Sequence, residues 1–429
     1  MNRGIQTWRS VTRAVADATL LLGVRNSKFR SQYRVFAMRT FNGNAAPENQ
    51  LERRTSVPVI YVRGSHYDVG FDTGRIFAAV IKNFIATYEN LRQFEVEYKT
   101  ETGRNAYDKT LANMKQRFPH YVKEMQGVAD GANVPFHQLF LLQMDDIIGT
   151  INENQINRND TGGCSSIGII TANTGVLGHT EDAFAETLNH FYILSAHIIP
   201  TAEDKLNGAV EERFTSLCYA GHLPGYTMGY NENGLVFSIN TLSPRQLKPG
   251  STPRTFITRA LLTSKNFDEA ERIIRDEGLG VANGFSVNML WSDSWGGRQL
   301  YNIEVAPDLK ANQSSLNIEK YYKEPLVHCN IYQRLPVNEV IGPIIDSSEA
   351  RLEAIHNHNP PQKRGDVEKI LSDASGKIFN VFQDKKGAAV KTIAAGIFDL
   401  DKRTWSLYIE KPNESEPVAI LPIRFTTLD

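Results

Sequence analysis

The feature that most constrains this chain is a cysteine placed behind two glycines and in front of a predicted β-hairpin. Cys164 follows Gly162 and Gly163 and precedes two strand-like segments, residues 165–171 and 176–181, with a glycine-containing turn between them. Glycine allows the strained turn in which a side chain attacks the carbonyl carbon of the residue before it. The pattern therefore predicts that the chain cleaves itself before Cys164. A buried cysteine at the start of a hairpin is the alternative that the same residues allow.

Cleavage at this point would make Cys164 an N-terminal nucleophile. Its new α-amine, with an ordinary pKa of roughly 7.7–8.0, can act as the base for the thiol of the same residue. A conventional Cys–His pair without chain cleavage is the competing mechanism, with His328 or His179 as the base. The Gly163-Cys164 dipeptide and the hairpin behind it favour self-cleavage.

Several segments match one family of enzymes. Gly163-Cys164 matches that family's autocleavage site, and Asp182, eighteen residues after the cysteine, falls at its aspartate. Asn240, which closes an apolar strand-like run, falls at its oxyanion-hole asparagine. On these residues the chain resembles the isopenicillin-N acyltransferase family from about residue 57 onward.

Two further segments carry the same resemblance. Residues 328–330, with His328 and Asn330 at their ends, are similar to the family's His-Thr-Asn segment. Residues 63–70 and Gly74 are similar to its opening glycine signature. His328 and Asn330 are therefore expected to bind substrate.

The resemblance implies an α+β fold, the four-layer αββα sandwich of N-terminal-nucleophile hydrolases. It implies a catalytic domain over residues 57–429. Self-cleavage would divide this domain into an N-terminal helical chain, 57–163, and a C-terminal sheet-rich chain, 164–429, which stay associated.

The resemblance also implies roles for the matched residues. Cys164 would be the nucleophile, and Asp182 would hydrogen-bond its α-amine or orient the substrate. Asn240 would donate to the oxyanion, a contact worth roughly 2.7–4 kcal/mol in the transition state. Without the resemblance, Asp182 is interpreted as a solvated acidic residue at a strand end and Asn240 as a hydrogen-bonding residue at a strand end.

The reaction implied is hydrolysis rather than acyl transfer. Within the family the likeness is greatest to the branch that hydrolyses N-β-alanyl biogenic amines, which implies release of β-alanine from N-β-alanyl-dopamine or β-alanyl-histamine without a cofactor. Asn380 stands where the acyltransferase has an arginine, and no cluster of Lys or Arg lies in sequence near Cys164 or Asn240 to bind coenzyme A phosphates. An acyl-coenzyme A-dependent N-acyltransferase and a non-catalytic protein with a structural Cys164 are the alternatives.

A β-alanyl group carries a positive amine, so its pocket needs a carboxylate. Glu181 is the candidate, although a solvated residue at a strand end is its ordinary interpretation. His179 and Glu181 form the His-x-Glu of zinc deaminases, but no Pro-Cys-x-x-Cys follows, so no metal is expected. For the wall around an aromatic amine the sequence offers Tyr226, Phe237 and Phe184.

Composition excludes several other classes. A net charge of −1 gives no reason to expect nucleic acid or an anionic membrane as a partner. Three cysteines are too few for a disulfide framework and favour a reducing, cytoplasmic location. No apolar run approaches the ~20 residues of a membrane-spanning helix. A small-molecule substrate is the expected partner, with a homodimer as the candidate assembly.

Residues 1–56 differ from the rest. The first 40 hold eight basic residues against one acidic residue, and residues 41–56 are typical of a linker. We expect a basic, disordered extension, with a mitochondrial presequence as the minor alternative.

Periodicity predicts helices before Cys164 and mainly strands after it. Helical spacing runs from Ile76 to Leu91, and two further helices are predicted over 121–132 and 139–148. Ser65 and Asp68 form a predicted helix cap. Four later helices are predicted over 253–263, 266–277, 347–356 and 366–372. Strands are predicted over 165–171, 176–181, 190–199, 226–230, 235–240, 287–291, 300–305, 326–330, 389–399 and 405–410.

Overall fold

The computed structural model describes residues 53–148, 163–171, 174–292 and 297–426. The predicted N-terminal extension lies outside these residues, except for the last four positions of its linker. Gly162 also lies outside them, whereas Gly163 and Cys164 lie inside.

The described residues before Cys164 are mainly helical, as predicted. It consists of β1 (Val59–Gly64) followed by α1 (His66–Ile76), α2 (Ala78–Thr87), α3 (Glu89–Lys99), α4 (Glu101–Arg117), α5 (Pro119–Ala132), α6 (Phe136–Gln143) and α7 (Asp145–Ile148). Ser65 caps α1, and its side chain and that of Asp68 each accept a hydrogen bond from the other's backbone amide. The predicted helical run from Ile76 to Leu91 is broken at Phe77 and Tyr88, where the backbone leaves the helical conformation although the apolar spacing continues.

The opening glycines allow two helices to pack closely. A Cβ atom on Gly70 or Gly74 of α1 would lie 2.0 or 2.3 Å from a backbone oxygen of α5. Gly127 and Gly131 of α5 face α1 in the same way, at 2.3 and 2.1 Å. Larger residues at these four positions would force the two helices apart.

After Cys164 the chain forms two sheets with a few helices between the strands. The eight-stranded sheet has the order β1-β4-β5-β6-β7-β8-β9-β10 and the six-stranded sheet the order β11-β2-β3-β12-β13-β14. Only β1 and β4 are parallel among the described neighbouring strands. The strands are β2 (Ser165–Ile170), β3 (Gly175–Phe184), β4 (Phe191–Ile198), β5 (Glu212–Tyr219), β6 (Met228–Asn231), β7 (Leu235–Leu242), β8 (Gly284–Ser292), β9 (Arg298–Pro307), β10 (Ser314–Tyr321), β11 (Leu326–His328), β12 (Val390–Asp399), β13 (Thr404–Tyr408) and β14 (Ala419–Pro422).

The predicted helices after Cys164 are all present, and a short one is added. They are α8 (Ala202–Leu206), α9 (Arg254–Leu261), α10 (Phe267–Arg275), α11 (Pro343–His356) and α12 (Arg364–Leu371). Sequence analysis missed β5, β10 and β14. In β5 charged Glu212 and Arg213 interrupt the apolar pattern, and β10 is mostly half-exposed.

Three clusters of buried apolar side chains hold these elements together. One joins the two sheets, with Leu217 and Leu290 from the larger sheet and Leu177 and Ile393 from the smaller. A second joins the larger sheet to α1–α7, α9 and α10, and a third joins the smaller sheet to α11 and α12. The prediction of an α+β fold is confirmed in that the chain combines two sheets with helices.

A buried ionic network crosses from the helices to the larger sheet. Arg259 of α9 donates to Glu124 of α5 (2.8 Å) and to Glu212 of β5 (2.7 Å). His66 of α1 lies between the same two carboxylates. Burial acts to raise the pKa of Glu124, but Arg259 and His66 outweigh it and hold that pKa at about 2.

Candidate active site around Cys164

Cys164 lies directly before β2 and is 5% exposed. Its backbone nitrogen, its thiol and its carbonyl oxygen each have hydrogen-bond partners. Its backbone N–H donates to Asn330 Oδ1 (2.7 Å), and its thiol donates to Glu181 Oε2 (3.5 Å). Its carbonyl oxygen accepts from Asn240 Nδ2 (3.0 Å) and from Arg351 Nη1 (2.6 Å). The structure thus brings three predicted site residues to the cysteine and adds Arg351.

These residues come from elements that are distant in sequence. Glu181 lies on β3, one strand from Cys164, and Asn240 lies on β7 of the other sheet. Asn330 follows β11 directly, and Arg351 lies on α11, which covers the smaller sheet. Because alternate residues of a strand share a face, the side chains of β7 divide between the intersheet space and the helical layer. Asn240 therefore faces the smaller sheet, whereas Phe237 packs with the helices.

Glu181 is enclosed by protein groups. Its Oε2 lies 2.9 Å from His179 Nε2, and its Oε1 accepts from the hydroxyl of Tyr219. His179 is fixed in turn by Ser166 Oγ, 2.9 Å from Nδ1. Glu181 is 5% exposed, so it is not a solvated residue at a strand end. Both of its oxygens already contact protein groups, and its predicted contact with a substrate amine stays a prediction.

Asp182 has a buried carboxyl group of which one oxygen lacks a hydrogen-bond partner among the described residues. Its backbone N–H hydrogen-bonds the sulfur of Cys164, and its Oδ1 accepts from Thr392 Oγ1 (2.5 Å). Its Oδ2 is buried and has no hydrogen-bond partner among the described residues. Burial raises the pKa of Asp182 to about 7, against the opposing effects of Arg351 and Thr392. Arg351 therefore offsets the effect of burial on this carboxylate only in part.

A row of three asparagines orients the amide of Asn240. Asn302 on β9 donates to Asn288 Oδ1 (2.8 Å), and Asn288 on β8 donates to Asn240 Oδ1 (2.7 Å). With its oxygen held in this way, Asn240 directs its Nδ2 toward Cys164. Sequence analysis identified Asn240 but not the two residues that orient it.

Arg351 is the contact of the Cys164 carbonyl that sequence analysis missed. It is fully buried, and besides the Cys164 carbonyl it donates to Ser165 Oγ (3.0 Å) and Asn330 Oδ1 (2.9 Å). A Cβ atom on Gly163 would lie 2.2 Å from its Nη2. Arg351 thus gives a packing reason for glycine before the cysteine. The signal that could have found it is the shared face of Ser347, Arg351 and Ile355 at helical spacing.

His328 does not reach the thiol. Its Nδ1 bonds the carbonyl of Cys329 (2.6 Å), and its Nε2 bonds Glu304 Oε1 (3.1 Å) on β9. Both ring nitrogens are therefore engaged away from Cys164. This geometry supports neither its predicted contact with substrate nor a Cys164–His328 catalytic pair.

One group of side chains is close enough to hold a metal ion. In the described part of the chain, ligand atoms of Cys164, His179 and Glu181 lie within 4.8 Å of one another. Here they are joined by hydrogen bonds, and His179 uses both ring nitrogens, for Glu181 and Ser166. The arrangement is that of a hydrogen-bonded thiol, and the absence of a metal stays a prediction.

Comparison with known proteins identifies the class to which this site belongs. The model of the acyl-coenzyme A:6-aminopenicillanic acid acyl-transferase family matches residues 170–414, and the chain belongs to this family. It is 45% identical over 383 residues to the β-alanyl-dopamine/carcinine hydrolase of Drosophila melanogaster, covering 87% of this chain and 98% of that protein. The predicted resemblance and the prediction of a hydrolase are confirmed.

Among the described helices, none is both long and apolar enough to cross a membrane.

Proposed function

We propose that this chain is a self-processing cysteine amidohydrolase that releases β-alanine from N-β-alanyl biogenic amines, including N-β-alanyl-dopamine and β-alanyl-histamine (carcinine). The observation that carries the proposal is the environment of Cys164. Its nitrogen is held by Asn330, its thiol by Glu181 and its carbonyl by Asn240. The 45% identity to a hydrolase named for these substrates supports the choice of substrate.

The proposed architecture is the four-layer αββα sandwich of N-terminal-nucleophile hydrolases. The three apolar clusters support it, because one lies between the sheets and the other two join each sheet to its own helices. Cys164 would then lie at the end of a strand of the smaller sheet, within reach of groups from both sheets. That position suits a nucleophile whose partners come from each of them.

Cleavage between Gly163 and Cys164 would leave two chains, 57–163 and 164–429, that remain associated. Strand β1 belongs to the first chain and pairs with β4 of the second over six residues. The ionic network around Arg259 also joins the two. A cytoplasmic location and a homodimer remain part of the proposal.

In the proposed mechanism, the α-amine of Cys164 takes the thiol proton while the sulfur attacks the amide carbonyl of the substrate. Asn330 orients this amine, because its Oδ1 already accepts from the same nitrogen. Asn240 Nδ2, which donates to the Cys164 carbonyl, and the backbone N–H of Asp182, which hydrogen-bonds the sulfur, are assigned the stabilisation of the oxyanion. The α-ammonium passes the thiol proton to the substrate nitrogen as the C–N bond breaks and the amine product leaves. Water then hydrolyses the acyl-thioester, which releases β-alanine and restores the thiol.

The ammonium group of the β-alanyl substrate is assigned to Asp182 rather than to Glu181. The Oδ2 of Asp182 is buried and has no hydrogen-bond partner among the described residues, whereas both oxygens of Glu181 already contact protein groups. A cation beside Asp182 would also remove the unfavourable burial of its charge.

The aromatic amine is assigned to a wall that includes Tyr226. The Tyr226 ring lies 5.0 Å from Tyr219, whose hydroxyl donates to Glu181. Phe237, the second of the three candidates, packs on the opposite face of its strand, among the helices, so it is not assigned to this wall. Phe184 lies at the far end of β3 and contacts Tyr88.

The test is to incubate the purified protein with N-β-alanyl-dopamine and, separately, with an acyl-coenzyme A and an amine acceptor. We expect free β-alanine from the first mixture and no acylated amine from the second. The Cys164→Ala variant should release none. Acyl transfer without hydrolysis would replace the proposal by the acyltransferase alternative, and normal turnover by Cys164→Ala would make Cys164 a structural residue.

A further inference from the structure

Self-cleavage poses a problem that later turnover does not. Before cleavage the nitrogen of Cys164 is an amide, which donates its hydrogen to Asn330 and has no basic lone pair to offer. Burial, and after it the charges of Glu181 and Asp182, raise the pKa of the Cys164 thiol well above its ordinary value. The thiol therefore keeps its proton until another group removes it. That group has to be present in the uncleaved chain.

Among the described residues, one carboxylate accepts a hydrogen bond from the thiol. Glu181 Oε2 lies 3.5 Å from Cys164 Sγ, within the hydrogen-bonding range of sulfur. Asp182 approaches the sulfur with its backbone N–H, while its carboxylate binds Thr392. The nearest histidine, His179, directs its Nε2 at Glu181.

We propose that Glu181 is the catalytic base of self-cleavage, a role that ends when the α-amine of Cys164 appears. This inference rests on the proposed function, because it requires that the chain cleaves itself between Gly163 and Cys164. It replaces the sequence-based role of Glu181 as a substrate-binding residue. It also gives the chain two successive bases for one thiol.

The proposed step balances without any added reactant except water. The sulfur of Cys164 bonds to the carbonyl carbon of Gly163 while the thiol proton moves to Glu181 Oε2. The bond between that carbon and the nitrogen of Cys164 then breaks, and the proton passes from Glu181 to the departing nitrogen. Water hydrolyses the resulting thioester, which frees the thiol and leaves Gly163 with a carboxylate.

Two neighbours position Glu181 for this step. His179 and Glu181 are two residues apart on β3, so they share a face, and His179 Nε2 contacts the same oxygen that faces the thiol. The hydroxyl of Tyr219 holds the other oxygen. Both are positioning residues, since they act through Glu181 rather than on the reacting atoms.

The test is the rate of self-cleavage of the full chain, followed by gel and mass spectrometry after synthesis. Glu181→Gln keeps the shape of the side chain and removes the base, so cleavage should slow by about 10²–10⁴-fold. Glu181→Asp retains a carboxylate and should cleave faster than Glu181→Gln. The matched control is Glu304→Gln, because Glu304 is also fully buried and bound by a histidine but lies away from the sulfur. This control should cleave at close to the unsubstituted rate.

A second readout separates this role from a merely structural one. Once some Glu181→Gln molecules have cleaved, their turnover of N-β-alanyl-dopamine is measured per cleaved molecule. The loss in cleavage rate should exceed the loss in turnover at least tenfold. Equal losses, cleavage of Glu181→Gln at the unsubstituted rate, or equal cleavage by the Gln and Asp variants would overturn the inference. If the unsubstituted chain does not cleave, the proposed function itself fails.

Discussion

The buried carboxylate of Asp182, whose Oδ2 has no hydrogen-bond partner among the described residues, should destabilise the uncleaved protein at neutral pH. The clearest test replaces Asp182 by Asn in the Cys164→Ala background, where no α-amine can form. Asn has nearly the same shape but carries no charge, so the substitution removes the ionisation and little else. We expect the double variant to be more stable than Cys164→Ala alone at neutral pH. Most substitutions of a buried residue destabilise a protein, so this result would be unusual.

The magnitude follows from the pKa of Asp182, which burial raises from 3.8 to about 7. Between these values the folded chain holds a proton that the unfolded chain has lost, so its stability falls as the pH rises. Three pKa units correspond to about 4 kcal/mol, all of it reached above pH 7. The stability advantage of Asp182→Asn should therefore grow by about 3 kcal/mol between pH 5 and pH 8.

Urea unfolding of both variants at several pH values measures this difference. Asp204 provides a control of opposite sign, because Lys123 and Thr201 outweigh its burial and lower its pKa. The stability that Asp204→Asn costs should grow as the pH rises toward the unfolded pKa of ~4 and stay constant above it, so this cost should not change between pH 5 and pH 8. If Asp182→Asn gives no advantage that grows with pH, the carboxylate has a cationic partner already and the assignment of the substrate ammonium to it is wrong.

Three further substitutions test other parts of the account. Asn240→Ala should slow turnover by ~10²–10³-fold in steady-state assays, with unchanged folding by circular dichroism, because it removes one oxyanion donor; an unchanged rate would remove Asn240 from the site. Gly163→Ala should slow self-cleavage about 100-fold on a denaturing gel, since its Cβ would lie 2.2 Å from Arg351 Nη2 and displace it; cleavage at the normal rate would show that Arg351 moves without consequence. Arg259→Met should lower the free energy of unfolding by about 3–5 kcal/mol in urea at pH 7, because it leaves the buried carboxylates of Glu124 and Glu212 with His66 as their remaining partner. This loss should shrink below pH 4, as the pKa of about 2 that Glu124 has in the unsubstituted protein rises in the variant; a loss independent of pH would mean that packing, not charge, is what Arg259 supplies.

The sequence predicted the parts of the site that local motifs carry. Gly163, Cys164 and Asn240 stand in short segments whose pattern already indicates a strand, and the structure brings Cys164 and Asn240 within hydrogen-bonding distance. Asn330 was found in the same way and holds the cysteine nitrogen. These residues were predictable because each lies in a short motif to which the family resemblance assigns a role.

The contacts that sequence analysis missed depend on tertiary structure. Arg351 lies on a helix 187 residues after Cys164, and only the packing of α11 on the smaller sheet brings it to the carbonyl. Tyr219 reaches Glu181 from the opposite sheet, across the intersheet space. The orientation of His328 depends on tertiary structure in the same way, because its ring faces Glu304 and not Cys164. Which face a side chain takes was not deducible from a three-residue motif.

Self-cleavage before Cys164 is the central claim, and the intact mass of the denatured protein tests it most directly. The account predicts two fragments from the 48.1 kDa chain, and the larger, residues 164–429, should have a mass of about 30 kDa in proportion to its share of the 429 residues. N-terminal sequencing of this fragment should read Cys-Ser-Ser, and Cys164→Ala should give only the full-length mass. A fully active enzyme with the single mass of the uncleaved chain would contradict the account.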